Sequence, residues 1–98
     1  MFSWYDAKNA SNQRKHGIGF NAAKLVFDDP LHVTRQDRTE NGEQRWQTVG
    51  MAGGVVLLLV AHTWHEAQAN DRSDTEHIRI ISARRATKLE RKVYEQGS

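Results

Sequence analysis

The sequence contains no cysteine. Disulfides, zinc–thiolate sites, iron–sulfur clusters and thiol nucleophiles are thereby excluded, and a reducing compartment fits. Long apolar runs are missing too. The longest, residues 55–61, has the length of a strand and falls far short of the roughly 20 residues that a bilayer-spanning helix needs. Trp4, Asp6 and Lys8 stand where a signal peptide would show its apolar stretch, so no targeting segment is expected. Strong charge imbalance is likewise absent: 14 Lys and Arg face 12 Asp and Glu, for a formal net charge of +2. Such a balance tolerates a polyanionic partner without demanding one, so the distribution of charge matters more than its sum.

What is present suits one small domain over residues 1–98. Residues 2–5 read as a short opening strand. Asp6 is placed to cap a helix over residues 7–15, with Lys15 and His16 at its negative pole and Gly17 as the stop. Phe20, Ala23 and Phe27 recur at helical spacing and predict a second helix over residues 20–27, ended by Asp28-Asp29-Pro30. Residues 31–35 form a candidate strand, Asn41-Gly42 a hairpin turn, and residues 44–49 the returning strand. After the Gly53-Gly54 turn, residues 55–63 are the best candidate for a central strand. A polar loop over residues 66–76 and a strand over 77–82 follow, and a last helix is expected from Ala83 or Arg84 onward. The expected fold is therefore α+β, a small, mostly antiparallel sheet packed by helices in the order β-α-α-β-β-β-β-α.

The last helix concentrates cations: Arg84, Arg85, Lys88, Arg91 and Lys92 stand against Glu90 and Glu95. Ala86, Leu89 and Val93 are expected to form its buried stripe. Glu90 falls only about 40° from Ala86 around the helix, so its carboxylate needs a partner, either Arg79 from the strand or an arginine near the helix start. One reading of this element is a solvated helix with snorkelling side chains. The other joins it to Arg79 and His77 as a cationic strip for phosphate, which the guanidinium fork binds bidentately.

Motifs spread along the chain carry a resemblance. They are Phe2-x-Trp4, Lys8-Asn9, Asn12, Lys15-His16-Gly17, Phe20, Ala23, Val26-Phe27-Asp28-Asp29-Pro30, Glu43-x-Arg45-Trp46, Gly50, and Arg79-Ile80-Ile81-Ser82-Ala83-Arg84-Arg85-Ala86 with Glu90-Arg91 and Tyr94. In this order the chain resembles the BrnT family, the toxins of BrnT–BrnA type II toxin–antitoxin systems. It departs from the family pattern at Tyr5, at His62-Thr63-Trp64-His65 and in the length of the loop at 67–76. The resemblance implies a RelE-like fold and a bacterial cytoplasmic endoribonuclease. It also implies neutralisation by a BrnA-like antitoxin with a ribbon-helix-helix DNA-binding region, in a heterotetramer or larger complex. Operator DNA would be met only through the antitoxin.

RNA cleavage without a metal or other cofactor needs a base for the 2′-hydroxyl, an acid for the leaving 5′-oxygen and cations for the pentavalent phosphate. His16, with its neighbour Lys15, is the first candidate for proton transfer; its bland reading is a helix cap. His62 is a second, if it faces solvent from the central strand. His65 and His77 border the variable loop and rank lower. Arg79 and Arg84 are the expected phosphate contacts, although either would also serve Glu90 as a structural partner. Arg45, Arg85, Lys88 and Arg91 complete the expected RNA-binding surface, and Trp46 or Trp64 would stack a base or lie in the core. A zinc site from His62, His65 and His77 with Asp71 or Asp74 matches no established spacing. The rival to an enzyme is a non-catalytic nucleic-acid-binding or protein-interaction module within an operon-repressing complex.

Overall fold

The computed structural model describes residues 1–66 and 76–97. Its elements are β1 (Phe2–Ser3), α1 (Asp6–His16), α2 (Phe20–Ala23) continued as a 3-10 turn (Lys24–Asp28), β2 (Val33–Glu40), β3 (Glu43–Ala52), β4 (Val56–His62), β5 (Ile78–Arg85) and α3 (Lys88–Gln96). This is the expected order of elements. The strands form one sheet in the order β1-β5-β4-β3-β2; β1 runs parallel to β5 and the other neighbours are antiparallel, so the sheet is mixed. Most of the expected loop at 66–76, Asp71 and Asp74 included, lies outside the described residues.

The two sheet faces follow from strand alternation. Leu58 and Val60 of β4, with Ile78, Ile80 and Ala83 of β5, meet Phe20, Ala23 and Val26 in the larger core. Leu57 and Leu59 point the other way, joining Val49, Val33, Met51, Ala86 and Tyr94 in a smaller cluster under α3. The 3-10 turn sits tightly on β3 at Gly50: a Cβ there would meet the Val26 carbonyl oxygen at 3.0 Å. The β2–β3 hairpin turns on Asn41 and Gly42, with φ of 53° and 77°, the pair of left-handed residues that a two-residue turn of this twist requires.

Strand β5 has β4 along one side, but its pairing with β1 spans only Phe2↔Ile78 and Ser3↔Arg79. Further along that edge, buried Asn12 of α1 takes the place of a strand. Its Oδ1 accepts from the Ala83 N–H at 3.1 Å, while its Nδ2 donates to the carbonyls of Ala83 and Ile18 at 2.8 and 2.9 Å. Asn9, one turn earlier, accepts from the Phe20 N–H at 2.9 Å and so starts α2.

Four local expectations are corrected. Asp6 does not cap α1: Tyr5 is the N-cap, and Asp6 lies inside the first turn, where its charge favours the positive helix end. The second helix is α only as far as Ala23. The first hairpin strand extends to Glu40 rather than stopping at 35. The last helix starts at Lys88, not at Ala83 or Arg84, because Ala83, Arg84 and Arg85 pair with Val60, Leu59 and Leu58. With the helix starting later, Leu89 is 72% exposed, and the residues turned towards the sheet are Glu90, Val93 and Tyr94.

Candidate active site on the open half of the sheet

Helix α3 covers only part of its sheet face. Beyond it, Glu43 and Arg45 of β3 and Arg79 and Ile81 of β5 stand on the part of this face that α3 leaves open. Thr63, just past the end of β4, is fully buried; its N–H donates to the Arg79 carbonyl at 3.0 Å, while its Oγ1 accepts from the Arg79 N–H at 3.3 Å. With the backbone so held, the Arg79 guanidinium reaches Glu43: Nη2 donates to Oε1 at 2.6 Å and Nη1 lies 3.5 Å from Oε2. The Arg79 head also lies over the Tyr5 ring, 5.6 Å from its centre. His65 Nε2 stands 3.7 Å from Glu43 Oε2 with its ring largely open to solvent. Arg79, by its hydrogen bond, holds the Glu43 carboxyl below the usual carboxylate range; this outweighs the opposing effect of burial, and Arg45 and His65 reinforce it.

Two grooves lie further along the same strands, and neither is lined by Glu43, Arg79 or His65. One, of about 160 Å³, is lined by Lys8, Ser11, Lys15 and His16 of α1 with Ile81 and Ser82 of β5. The other, of about 430 Å³, shares Lys8, Ile81 and Ser82 and continues past Ala61 to Arg45, Arg38 and Asp37. A bulge in β5 shapes their common wall: Ala61 pairs with Ser82 and His62 with Ile80, leaving Ile81 between them.

The structure thus brings some sequence candidates together and separates others. Lys15 and His16 share a groove, Arg45 lies in the next, and Arg79 stands in the ionic cluster. His16 is exposed at the last turn of α1 and has no hydrogen-bond partner among the described residues. His62 is corrected outright: it does not face solvent but is 1% exposed on the opposite face, with Nε2 2.7 Å from Thr48 Oγ1 and Nδ1 2.8 Å from the Thr63 carbonyl oxygen. Arg84 is the partner that Glu90 needs, through two 2.8 Å hydrogen bonds. Arg85 is exposed, and strand alternation turns it to the face opposite Arg84. Lys88 and Arg91 are exposed on α3 and line neither groove beside α1.

Trp46 packs edge-on against Trp64, 5.1 Å between ring centres, and Trp64 donates to Glu76 at 2.7 Å. The three imidazoles of the zinc alternative turn to different partners: His62 to Thr48, His65 to Glu43 and His77 to Ser3 Oγ at 2.9 Å. Among the described residues no cluster of metal-ligating side chains forms.

Residue-by-residue reading did not bring out the meeting of Glu43 with Arg79 and His65. The Glu43-x-Arg45-Trp46 motif was the available signal, but its meeting with Arg79 depends on strand register.

The model of the family described as ribonuclease toxin, BrnT, of type II toxin–antitoxin system matches residues 4–90. Comparison with curated proteins found no match. Among solved structures, the 1.1 Å crystal structure of the Brucella abortus ribonuclease toxin BrnT matches with a TM-score of 0.58 and 19% identity. That match covers 90% of this chain and 99% of the Brucella chain, and at this identity it shows a shared fold. With the family model spanning α1, α2, strands β2 to β5 and the start of α3, the chain belongs to the BrnT family of type II toxin–antitoxin ribonuclease toxins.

Proposed function

We propose that this chain is an endoribonuclease toxin that cleaves RNA by metal-independent acid–base chemistry at the Glu43–Arg79–His65 cluster. The convergence of a carboxylate, a guanidinium and an open imidazole carries this reading, with Arg45 and Lys8 in a groove of mixed charge further along the same strands. Glu43, ionised at neutral pH, takes the proton of a 2′-hydroxyl as that oxygen attacks the neighbouring phosphorus. His65, in its protonated form, gives a proton to the departing 5′-oxygen, so a cyclic phosphate and a free 5′-hydroxyl result. Arg79 neutralises the phosphorane: its longer Nη1 contact is free to turn to a phosphate oxygen while Nη2 keeps the carboxylate in place. Lys15 and His16 line the approach. The requirement for a 2′-hydroxyl makes RNA, not DNA, the substrate. A BrnA-like antitoxin with a ribbon-helix-helix region would neutralise the toxin by covering this face, and would carry the complex, a heterotetramer or larger, to operator DNA.

Purified chain without its partner is expected to cut single-stranded RNA in the presence of EDTA. Glu43→Gln and His65→Gln are each expected to lower the rate about 10²- to 10⁴-fold. Folded wild-type protein that binds RNA in a salt-sensitive way but never cuts it would replace this reading with a binding module. Unchanged rates in both variants would move the chemistry away from this cluster.

A further inference from the structure

Arg45 sits in the large groove with only a long ion-pair contact. Its nearest carboxylate, Glu40, is 4.0 Å from Nη2, and its side chain is 18% exposed. Its Nε–H is shut off from solvent and has no hydrogen-bond partner among the described residues. That orphaned Nε–H shows the guanidinium to be partly desolvated. An anion at its outer nitrogens would not reach the Nε–H but would offset the charge that Glu40, at 4.0 Å, offsets only weakly. The groove provides room for one. Its volume is about 430 Å³, its floor is made of Ala61 and Ser82, and Lys8 rises from α1 on the far side.

The position of this groove relative to the cluster supplies the second observation. Arg45 stands two residues beyond Glu43 on β3, and Ile81 two residues beyond Arg79 on β5. Both steps advance about 7 Å along a strand on the same face, the scale of one nucleotide step. Resting on the reading that the cluster meets RNA, we propose that Arg45 and Lys8 form a subsite for the phosphate next to the scissile one on a single strand of RNA. Arg45 supplies a fixed, partly desolvated fork, and Lys8 a mobile charge. Asp37 and Glu40, at the hairpin side of the same groove, confine the strand to the α1 side by repulsion.

The test neutralises one phosphate at a time. The scissile position is first mapped by cleavage of an unmodified oligoribonucleotide. Non-cleavable 2′-O-methyl oligonucleotides of that sequence then carry a single methylphosphonate at successive positions, and binding is read by fluorescence anisotropy. Wild-type protein is expected to lose about tenfold in affinity or more when the phosphate adjacent to the scissile one is neutral. Arg45→Met, which keeps the apolar stem, is expected to be indifferent to that substitution. Its salt dependence of binding should also be shallower, by about 0.7 in the logarithmic slope. Lys8→Met on the exposed wall carries the same test if Arg45→Met does not fold.

Continued sensitivity of the folded variants at the adjacent position overturns the subsite. So does indifference that falls on the scissile phosphate itself. Wild-type protein that cuts no RNA, yet loses affinity at one methylphosphonate position through Arg45, would sink the ribonuclease reading and leave the phosphate site standing.

Discussion

The Thr63 carbonyl can only accept a hydrogen bond, so the His62 Nδ1 that faces it at 2.8 Å carries the proton. In the neutral ring Nε2 then accepts from Thr48 Oγ1 at 2.7 Å, and Thr48 in turn accepts from Thr34 Oγ1, also at 2.7 Å. Protonating His62 reverses that chain of hydroxyls inside the core, beside the edge of the Phe27 ring. Burial pushes the imidazole below its ordinary value, and His32 adds to this; the Thr63 carbonyl and the Glu76 charge oppose it with smaller effect. The unfolded chain therefore takes up the proton first. Above the ordinary histidine value, about 6.5, the contribution of His62 to stability is fully present; it is lost as pH falls from there through the folded value. Denaturant titrations from pH 8 to pH 5 are expected to show falling stability, with a slope of up to about 1.4 kcal/mol per pH unit from this one group. His62→Gln should flatten the slope in that window, and His16→Gln, at an exposed position, should not. A slope that survives His62→Gln would place the titrating group elsewhere.

At the scale of elements, α3 is held by three devices that read in opposite directions along the chain. Thr87 and Glu90 form a reciprocal cap: Thr87 Oγ1 accepts from the Glu90 N–H at 3.2 Å, and Glu90 Oε1 accepts from the Thr87 N–H at 2.8 Å. Arg84 then clamps the same carboxylate, and its hydrogen bonds hold the Glu90 carboxyl below its usual range despite burial. A turn later, the Tyr94 hydroxyl donates to Asp29 Oδ2 at 2.7 Å. Asp29 also accepts from the N–H groups of Met51 and Leu31, at 2.8 and 2.9 Å. Burial would raise the Asp29 carboxyl, but these two backbone donors and Tyr94 outweigh it and leave it lowered. Asp29 thus joins the 3-10 turn, β3 and α3 at one point. Tyr94→Phe removes a hydrogen bond to a charged group and is expected to lower unfolding free energy by about 1.5–3 kcal/mol in denaturant melts. A loss within about 0.5 kcal/mol would show that the Tyr94 hydroxyl adds little to what the cap, Arg84 and the apolar contacts of α3 supply.

The start of α3 also shows which signals a sequence carries and which it hides. Ala83, Arg84 and Arg85 fit a helical pattern as well as a strand, and only their pairing with the long apolar run of β4 decides for the strand. Thr87-x-x-Glu90, by contrast, is a local capping box and marks the true boundary without any tertiary knowledge. The hairpin at Asn41-Gly42 and the central strand were legible for the same reason, since turn chemistry and apolar runs are local. The candidate site divides likewise. Arg79 is visible in its motif, whereas its meeting with Glu43 and the inward turn of His62 depend on register and on which sheet face each residue takes.

For the whole molecule, the groove further along the strands of the candidate site has one wall from the sheet and one from α1, so its shape depends on what joins them. Short β1 pairs β5 at only two positions, and Asn12 ties α1 to β5 further on through both backbone groups of Ala83. Asn12→Ala strands the Ala83 N–H and carbonyl in a buried place. At about 1–3 kcal/mol for each group left unsatisfied, the expected loss is about 2–4 kcal/mol, read as a lower midpoint of unfolding and faster exchange of the Ala83 amide. The functional consequence separates into two kinetic parameters. Glu43, His65 and Arg79 are placed by the sheet and the segment after β4, so kcat on RNA should change little at temperatures where the variant is folded. Lys8, Lys15 and His16 ride on α1, so KM should rise several-fold as that wall loosens. A fall in kcat with KM unchanged would instead show that α1 acts on the reacting phosphate directly. That outcome would return His16, exposed at the last turn of this helix, to the centre of the chemistry.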